Sequence, residues 1–352
     1  MRSLLSFLLI GVPVTLILTL VGLTHGMIED FQERQRGTGA DIVVRGTNAA
    51  SAITFSGSTL PEGFTGFLGK QPHVEYAAGV FTHPIELPLT VTGIDLNQFA
   101  KMSGGFNYTE GGPFQGSRDM IIDRYYAAQR HVHAGESIQV MNQSWRISGV
   151  IDGGKLSHIF VPIRELQKLD SSTGKLSQVF LKLDDPKNTS TVIKDLKQKL
   201  GPDYPILSME ELTSMVNVNN IAGLKEFTWV VVGIGVVIGF AVVCLSMYMA
   251  VLQRTREIGI LKSLGGSDQF ILGIVLLESL LLGVGGTVLG ILMSFGAKWL
   301  IRTFVPASIQ MAIVAEWWPI ALAITLASAA LGALYPGLSA ARHDPIDALA
   351  YE

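Results

Sequence analysis

Four long apolar stretches interrupt a chain whose other positions alternate or mix in polarity. Residues 3–24, 227–253 and 317–341 carry no charged side chain, and residues 269–297 carry one, Glu278. A bilayer core about 30 Å thick needs roughly 20 apolar residues at about 1.5 Å rise each, so every stretch is long enough to cross as a helix. Nothing in residues 25–226 compares; the longest uncharged run there, 46–61, is full of Gly, Ser and Thr. The pattern predicts an α-helical membrane protein with four transmembrane helices and a large mixed α/β extracytoplasmic domain between the first and second helices. The expected boundaries are spans at 1–24, 227–253, 269–297 and 317–341, and the large domain at 25–226. A loop at 254–268, a short loop at 298–316 and a tail at 342–352 complete the chain.

Within 25–226 the period shortens to two. Asp41-Ile42-Val43-Val44-Arg45, residues 89–95, Met120-Ile121-Ile122, residues 137–141 and residues 145–151 read as strands. The last two flank Asn142-Gln143-Ser144, which proposes a hairpin turn. Residues 178–183 form a further strand, ended by Asp184-Asp185-Pro186. A helix follows, with Val192 and Leu196 on one stripe and Gly201-Pro202 as its stop. This strand and helix repeat the pattern of residues 159–162 and 163–169, suggesting a small ferredoxin-like subdomain over about 156–207. At the ends of the block, residues 27–36 and 209–226 read as helical extensions of the neighbouring spans that form a stalk. The alternative is a pair of amphipathic helices lying on the bilayer.

Charge supports this division. Of the 55 charged side chains, 41 fall within 25–226. The overall charged fraction of 16% lies well below the ~25% of soluble domains, which excludes a soluble cytosolic enzyme. A net charge of −3 without a basic tract excludes a nucleic-acid binder. The first apolar run exceeds the ~7–15 residues of a signal-peptide core, and no A-x-A site follows, so it reads as an uncleaved anchor. Arg2, Arg254, Arg256, Lys262 and Arg342 lie on one side, against Lys298 and Arg302 in the other short loop. This bias places both termini and loop 254–268 in the cytoplasm, and 25–226 outside.

Catalytic chemistry is sparse. Gly149 to Lys155 approaches the phosphate-binding pattern G-x-x-x-x-G-K-[ST], but Leu156 supplies no hydroxyl, and the stretch reads as a hairpin exit. His131 and His133 have only Glu136 as a nearby third ligand, so a solvated loop is expected there. No metal site is expected. Cys244, the single cysteine, reads as a small apolar filler in the second span.

Loop 254–268 holds more. Ile258, Ile260, Leu261 and Leu264 interrupt the charges at helical spacing, Gly265-Gly266 ends the helix, and Ser267 can cap the next one. Such a helix either caps the bundle or docks into a groove on a cytoplasmic partner. Glu278, inside the third span, must face the bundle or a partner subunit, since lipid exposure costs several kcal/mol; a structural hydrogen bond between helices is the expected role. Gly235-x-x-x-Gly239 and Gly286-x-x-x-Gly290 allow close helix packing.

From Arg254 the chain reads Thr255-Arg256-Glu257-Ile258-Gly259-Ile260-Leu261-Lys262-Ser263-Leu264-Gly265, and here it strongly resembles the MacB/FtsX-like ABC transporter permease family. Glu278 followed by a Gly-rich run, and Arg342-His343-Asp344-Pro345-Ile346-Asp347-Ala348-Leu349, are similar to the family's third span and terminal signature. Residues 120–151 resemble its periplasmic core domain. The resemblance implies a permease subunit of the bacterial inner membrane, working as a homodimer on two cytoplasmic ATPase subunits that bind ATP and Mg²⁺, with no cofactor in this chain. It implies that loop 254–265 is a coupling helix. Arg254, Arg256, Glu257 and Lys262 would contact the ATPase, and Ile258, Ile260 and Leu261 would fill its groove. ATP-driven closure would then pass through the stalk to the outer domain, a mechanotransmission that exports or extracts substrate. A periplasmic adaptor and an outer-membrane channel are further partners it allows. Since only Met1-Arg2 precede the first span, a separate ATPase chain is expected. The rival expectation is a membrane-anchored sensor or scaffold that binds a ligand or protein through 25–226 and tolerates disruption of the loop.

Overall fold

The structure, a computed structural model, describes residues 2–46, 59–86, 89–217, 220, 223–305, 307 and 310–342. The terminal signature beyond Arg342 and most of the 46–61 run lie outside the described residues.

In chain order, the first span lies in α1 (Arg2–Arg36), followed by β1 (Ile42–Arg45), β2 (Leu60–Pro61), α2 (Gly63–Leu68), β3 (Val74–Glu86) and β4 (Leu89–Ile94). Then come α3 (Leu96–Ser103), β5 (Tyr108–Gly111), β6 (Asp119–Asp123), α4 (Arg124–Arg130), β7 (Ser137–Val140) and β8 (Gln143–Ile151). The domain continues with β9 (Ile159–Pro162), α5 (Ile163–Leu169), β10 (Lys175–Leu176), β11 (Gln178–Leu183), α6 (Thr189–Leu200), β12 (Ile206–Ser208) and α7 (Met209–Met215). The remaining helices are α8 (Leu224–Gln253), α9 (Thr255–Ser263), α10 (Asp268–Phe304) and α11 (Trp317–Arg342). The chain divides into two compact units: a membrane unit of residues 1–25, 222–300 and 311–352, and an α/β unit of residues 26–221 and 301–310.

Most strands of the α/β unit join one sheet, in the order β12-β1-β11-β3-β4-β9-β6-β8-β5, with β7 also pairing β8. The pairs β4·β9 and β6·β8 are parallel and the rest antiparallel. The inner strands are apolar at consecutive positions because both sheet faces are covered. On one face Val43, Ile121, Phe160 and Phe180 pack with Phe99 and Met102 of α3 and with Met209 and Leu212 of α7. Their sequence neighbours point the other way. Met120, Ile122, Ile159 and Val161 meet Tyr126 of α4 and Leu166 of α5, while Ile42, Val44, Val179 and Leu181 meet Val192 and Leu196 of α6. A one-residue slip of any of these strands would exchange the two cores, so the register is tightly specified.

Three expectations need correction. The 156–207 stretch is no separate subdomain: β9 pairs with β4 and β6, whereas β11 pairs with β1 and β3. The strand that joins these halves is β3, whose Ala77-Ala78-Gly79 and Pro84 lack the β-branched signal of a strand. The hairpin turn is Met141-Asn142, not 142–144, since Val140 pairs with Gln143 and both turn residues have positive φ (52° and 57°). Two such residues form a type I′ turn, whose twist matches that of the flanking strands.

The second stalk helix is also interrupted. While α1 continues unbroken through 27–36, α7 ends at Met215, Val216 leaves helical geometry (φ −90°, ψ 86°), and Gly223 precedes α8 with φ +80°. The cause is local. Met209 and Leu212 turn into the sheet's core, Val216 is buried, and the Met209 N–H donates to Asp41 O at 2.8 Å.

In the membrane unit, α1, α8, α10 and α11 are each long and apolar enough to span a bilayer. The third helix extends past Ala297 to Phe304. Large apolar side chains such as Trp229, Val237, Leu245, Leu281 and Leu292 face outward, as a lipid solvent permits. Small residues face inward: Ala329, Ala333, Ala340 and Ala341 are almost fully buried.

Candidate functional site

Helix α9 is defined at both ends by its own sequence. The Thr255 hydroxyl donates to Leu252 O (2.9 Å) and Val251 O (3.2 Å), carbonyls in the last turn of α8, the second of which also accepts from the Arg254 N–H (3.1 Å). At the far end Gly265 adopts φ +94°, the Gly266 N–H returns to Leu261 O (3.0 Å), and Ser267 Oγ accepts from Phe270 N–H (3.2 Å) to start α10. Glycine tolerates this left-handed turn without steric cost.

The expected docking residues divide between two faces. Arg254, Ile258 and Lys262, four apart, turn toward the bundle. Both Glu278 oxygens accept from Arg254 Nη1, at 3.2 and 3.1 Å. Ile258 packs against the cluster containing Val251, Ile271 and Val275. The Lys262 ammonium donates to Ala341 O (2.5 Å), lies 3.1 Å from Asp268, and leaves its side chain only 14% exposed. Arg256, Glu257, Ile260, Leu261 and Leu264 are exposed, Leu264 80% so, and Arg254 keeps 54% of its side chain exposed beside its bond to Glu278. Glu257 and Leu261 also line a cleft of about 100 Å³ with Met247, Ile274 and Glu278.

The glycines likewise separate. A Cβ on Gly286 would lie 2.5 Å from Ile10 Cγ2, and one on Gly290 would lie 2.7 Å from Val14 Cβ and 2.9 Å from Gly11 O. The Thr15 hydroxyl adds a bond to Gly290 O at 3.1 Å. This is the α1–α10 contact. A Cβ on Gly235 would lie 2.8 Å from Ile17 Cδ1 of α1, whereas one on Gly239 would have nothing within 4 Å among the described residues. Gly332 on α11, not anticipated, admits α8 closely: its Cβ would lie 2.9 Å from Phe240 O and 3.1 Å from Cys244 N. The Ala329-x-x-x-Ala333 spacing beside it carried that signal in the sequence.

A second polar centre, also not anticipated, sits inside the α/β unit. Arg34, in the last turns of α1, is 5% exposed; its Nε donates to Asp30 Oδ2 (2.8 Å) and its Nη1 to Asp123 Oδ2 (3.2 Å). His158 Nδ1 lies 2.7 Å from the same Asp123 oxygen, and the Tyr126 N–H donates to the other at 2.8 Å. Burial disfavours the Asp123 charge. The hydrogen bond from His158, the charges of His158 and Arg34 and the Tyr126 N–H outweigh it, holding the carboxyl below its ordinary value. Leu156 N–H donates to Arg34 O (2.8 Å), and Gln32 Nε2 donates to Thr213 O (3.0 Å) and Val216 O (2.9 Å). The end of α1 is thus fastened to both β6 and α7. The i,i+4 pair Asp30–Arg34 was visible in the sequence, but its partners lie 89 and more residues away.

Other candidate groups have structural partners. Lys155 of the near phosphate loop donates to Ser103 O (2.6 Å) and Gly105 O (2.5 Å), carbonyls at the end of α3. His133 bonds Glu110 (3.1 Å), and Glu136 accepts from the His133 N–H (3.0 Å). Among the described residues no group of three or more His, Cys, Asp or Glu is placed to hold a metal ion.

Four apolar helices, a short two-faced helix between the second and third, and a large α/β domain between the first and second define a multi-pass membrane protein with an extracellular domain. Residues 3–199 match the MacB-like periplasmic core domain, and residues 229–345 the FtsX-like permease C-terminal region. The chain belongs to the MacB/FtsX-like ABC transporter permease family. It is 26% identical to the uncharacterized ABC transporter permease YknZ of Bacillus subtilis, over all of this chain and 96% of that protein. It is also 26% identical to the macrolide export ATP-binding/permease protein MacB of Shigella sonnei, over 80% of this chain but 48% of that one. The periplasmic region of MacB from Actinobacillus actinomycetemcomitans aligns with 53% of this chain and 97% of its own at 15% identity and a TM-score of 0.39. The extracellular domain of YknZ aligns with 48% of this chain and 99% of its own at 16% identity and a TM-score of 0.37.

Proposed function

We propose that this chain is the membrane subunit of an ABC transporter that couples ATP hydrolysis by a separate cytoplasmic ATPase to movement of its extracytoplasmic domain. The ATPase holds ATP and Mg²⁺; this chain contributes no catalytic group. It works as a homodimer in a bacterial cell membrane, with both termini and α9 in the cytoplasm. The observation that carries the reading is the two-faced character of α9: one face is fixed to its own bundle, with Glu257 and Leu261 in the cleft beside it, and the other presents Arg256, Ile260 and Leu264. A helix that merely capped the bundle would turn its apolar residues inward. An exposed apolar group ringed by opposite charges suits a groove on a protein partner.

The outward residues are the ones to test. Arg256→Asp combined with Leu264→Asp should weaken retention of the ATPase by about 30-fold or more, the effect of losing a central contact worth ~2 kcal/mol. Affinity purification of the tagged full-length chain from native membranes, with quantitative mass spectrometry, reads this. Undiminished ATPase in the doubly substituted chain would refute docking through α9. An unaltered chain that reproducibly brings down no ATPase would favour a sensor or scaffold.

A further inference from the structure

We infer that the Arg254–Glu278 salt bridge, together with Lys262, is the link that converts displacement of α9 into displacement of α10. The inference rests on the docking reading above and assigns the transmission step to named side chains. Backbone alone transmits a push on α9 poorly. The helix is bounded by a non-helical residue at Arg254 (φ −111°, ψ 13°) and by the left-handed Gly265, so it can pivot at both ends. Two side-chain ties remove that freedom. Arg254 and Lys262 lie eight residues apart, roughly 12 Å along a helix. Arg254 reaches Glu278, well inside α10 and ten residues beyond its first residue, Asp268. Lys262 holds the Ala341 carbonyl in the last turn of α11 and the Asp268 carboxylate at the start of α10.

Glu278 is also well placed to pass a displacement on. Five residues further, Gly283 meets Ala329 of α11, where a Cβ would lie 3.4 Å from the Ala329 methyl. One and two turns beyond that, Gly286 and Gly290 close on Ile10, Gly11 and Val14 of α1. Contacts at this separation leave no slack for α10 to move without its neighbours. A carboxylate in a span is costly, and the guanidinium at the end of α8 offsets that cost while tying α10 to the base of α9.

The test uses the full-length chain with its ATPase in membranes, read by two measurements. Co-purification reports docking. The ATP-dependent change in amide hydrogen exchange across α10 and residues 26–217 reports transmission and requires no knowledge of the substrate. Glu278→Gln and Arg254→Glu are each expected to keep the ATPase bound and turning over while the exchange response falls at least fivefold. The charge-swapped pair Arg254→Glu with Glu278→Arg should restore most of it. Lys262→Met should lower the response in the same way. Full responses in the single variants overturn the inference, and so does a swap that inserts normally yet restores nothing. Loss of ATPase from the single variants also overturns it, by placing these residues at the docking face. Where the swap fails to insert, Arg254→Lys decides. It should retain more of the response than Arg254→Met, and equal responses exclude the ion pair. An unaltered chain without bound ATPase removes the docking reading and the link with it.

Discussion

Replacing Asp123 with alanine is expected to lower the stability of the α/β domain by about 3–5 kcal/mol, the cost of stranding buried charge. Asp123 is completely buried and receives Arg34, His158 and the Tyr126 N–H together. Its removal leaves the Arg34 guanidinium inside the domain with Asp30 as its remaining acidic partner. The pH dependence has a definite sign. Because the folded state holds the Asp123 carboxyl below its ordinary value, its contribution is complete above the unfolded carboxylate pKa of about 3.9 and is lost as pH falls through the folded value. The unaltered chain should therefore weaken in acid below about pH 4, and the Asp123→Ala chain should show a shallower slope there. Hydrogen exchange of the β6 amides in the detergent-purified chain, followed from pH 7 downward, reads both effects. Equal β6 protection in the two chains at pH 7 would show that the cluster does not stabilise the domain.

Gly290→Val is expected to disrupt the membrane unit, at a cost of at least ~3 kcal/mol, the upper end of overpacking effects. The obstacle is backbone as well as side chain: Gly11 O lies 2.9 Å from the position a Cβ would take, and Val14 Cβ lies 2.7 Å from it. A flexible side chain could swing aside, but a helix backbone can yield only by moving α1 away from α10. That movement would also break the Thr15–Gly290 hydrogen bond. Gly239→Ala is the matched control, since a Cβ there would have nothing within 4 Å among the described residues. The measured quantity is the thermal midpoint of the purified protein in mild detergent. A Gly290→Val chain as stable as the Gly239→Ala chain would mean that the α1–α10 contact contributes little.

Much of this fold was legible because its signals are periodic and local. Four apolar runs, broken only by Glu278, declare four spans, and β1, β4, β6, β8 and β11 are each marked by two or more Val, Ile or Leu. The end of α9 and the start of α10 were equally readable, since Gly265, Gly266 and Ser267 act within a few residues. What depends on distant partners was not. Nothing near β3 announces that its plain Ala and Gly residues separate β11 from β4. The stripe Met209, Leu212, Val216 looks the same whether it extends a span or turns into a sheet. Arg34, Asp123 and His158 are single polar residues until the fold joins them. In the candidate site the spacing of Arg254, Ile258 and Lys262 was present in the sequence. Only Glu278 and the Ala341 carbonyl reveal that this stripe faces the protein's own bundle.

The order of the sheet has a consequence for life at high local concentration. A ten-stranded sheet has two lateral margins, and unpaired margins invite neighbouring molecules to add strands of their own. Here one margin is β12, only three residues long, and the other is shared by β5 and β7, four residues each, which pair with different parts of β8. Among the described residues, neither presents a long straight row of amide groups. Copies confined to one bilayer plane, where encounters are frequent and orientations alike, are thereby kept from fusing edge to edge into aggregates.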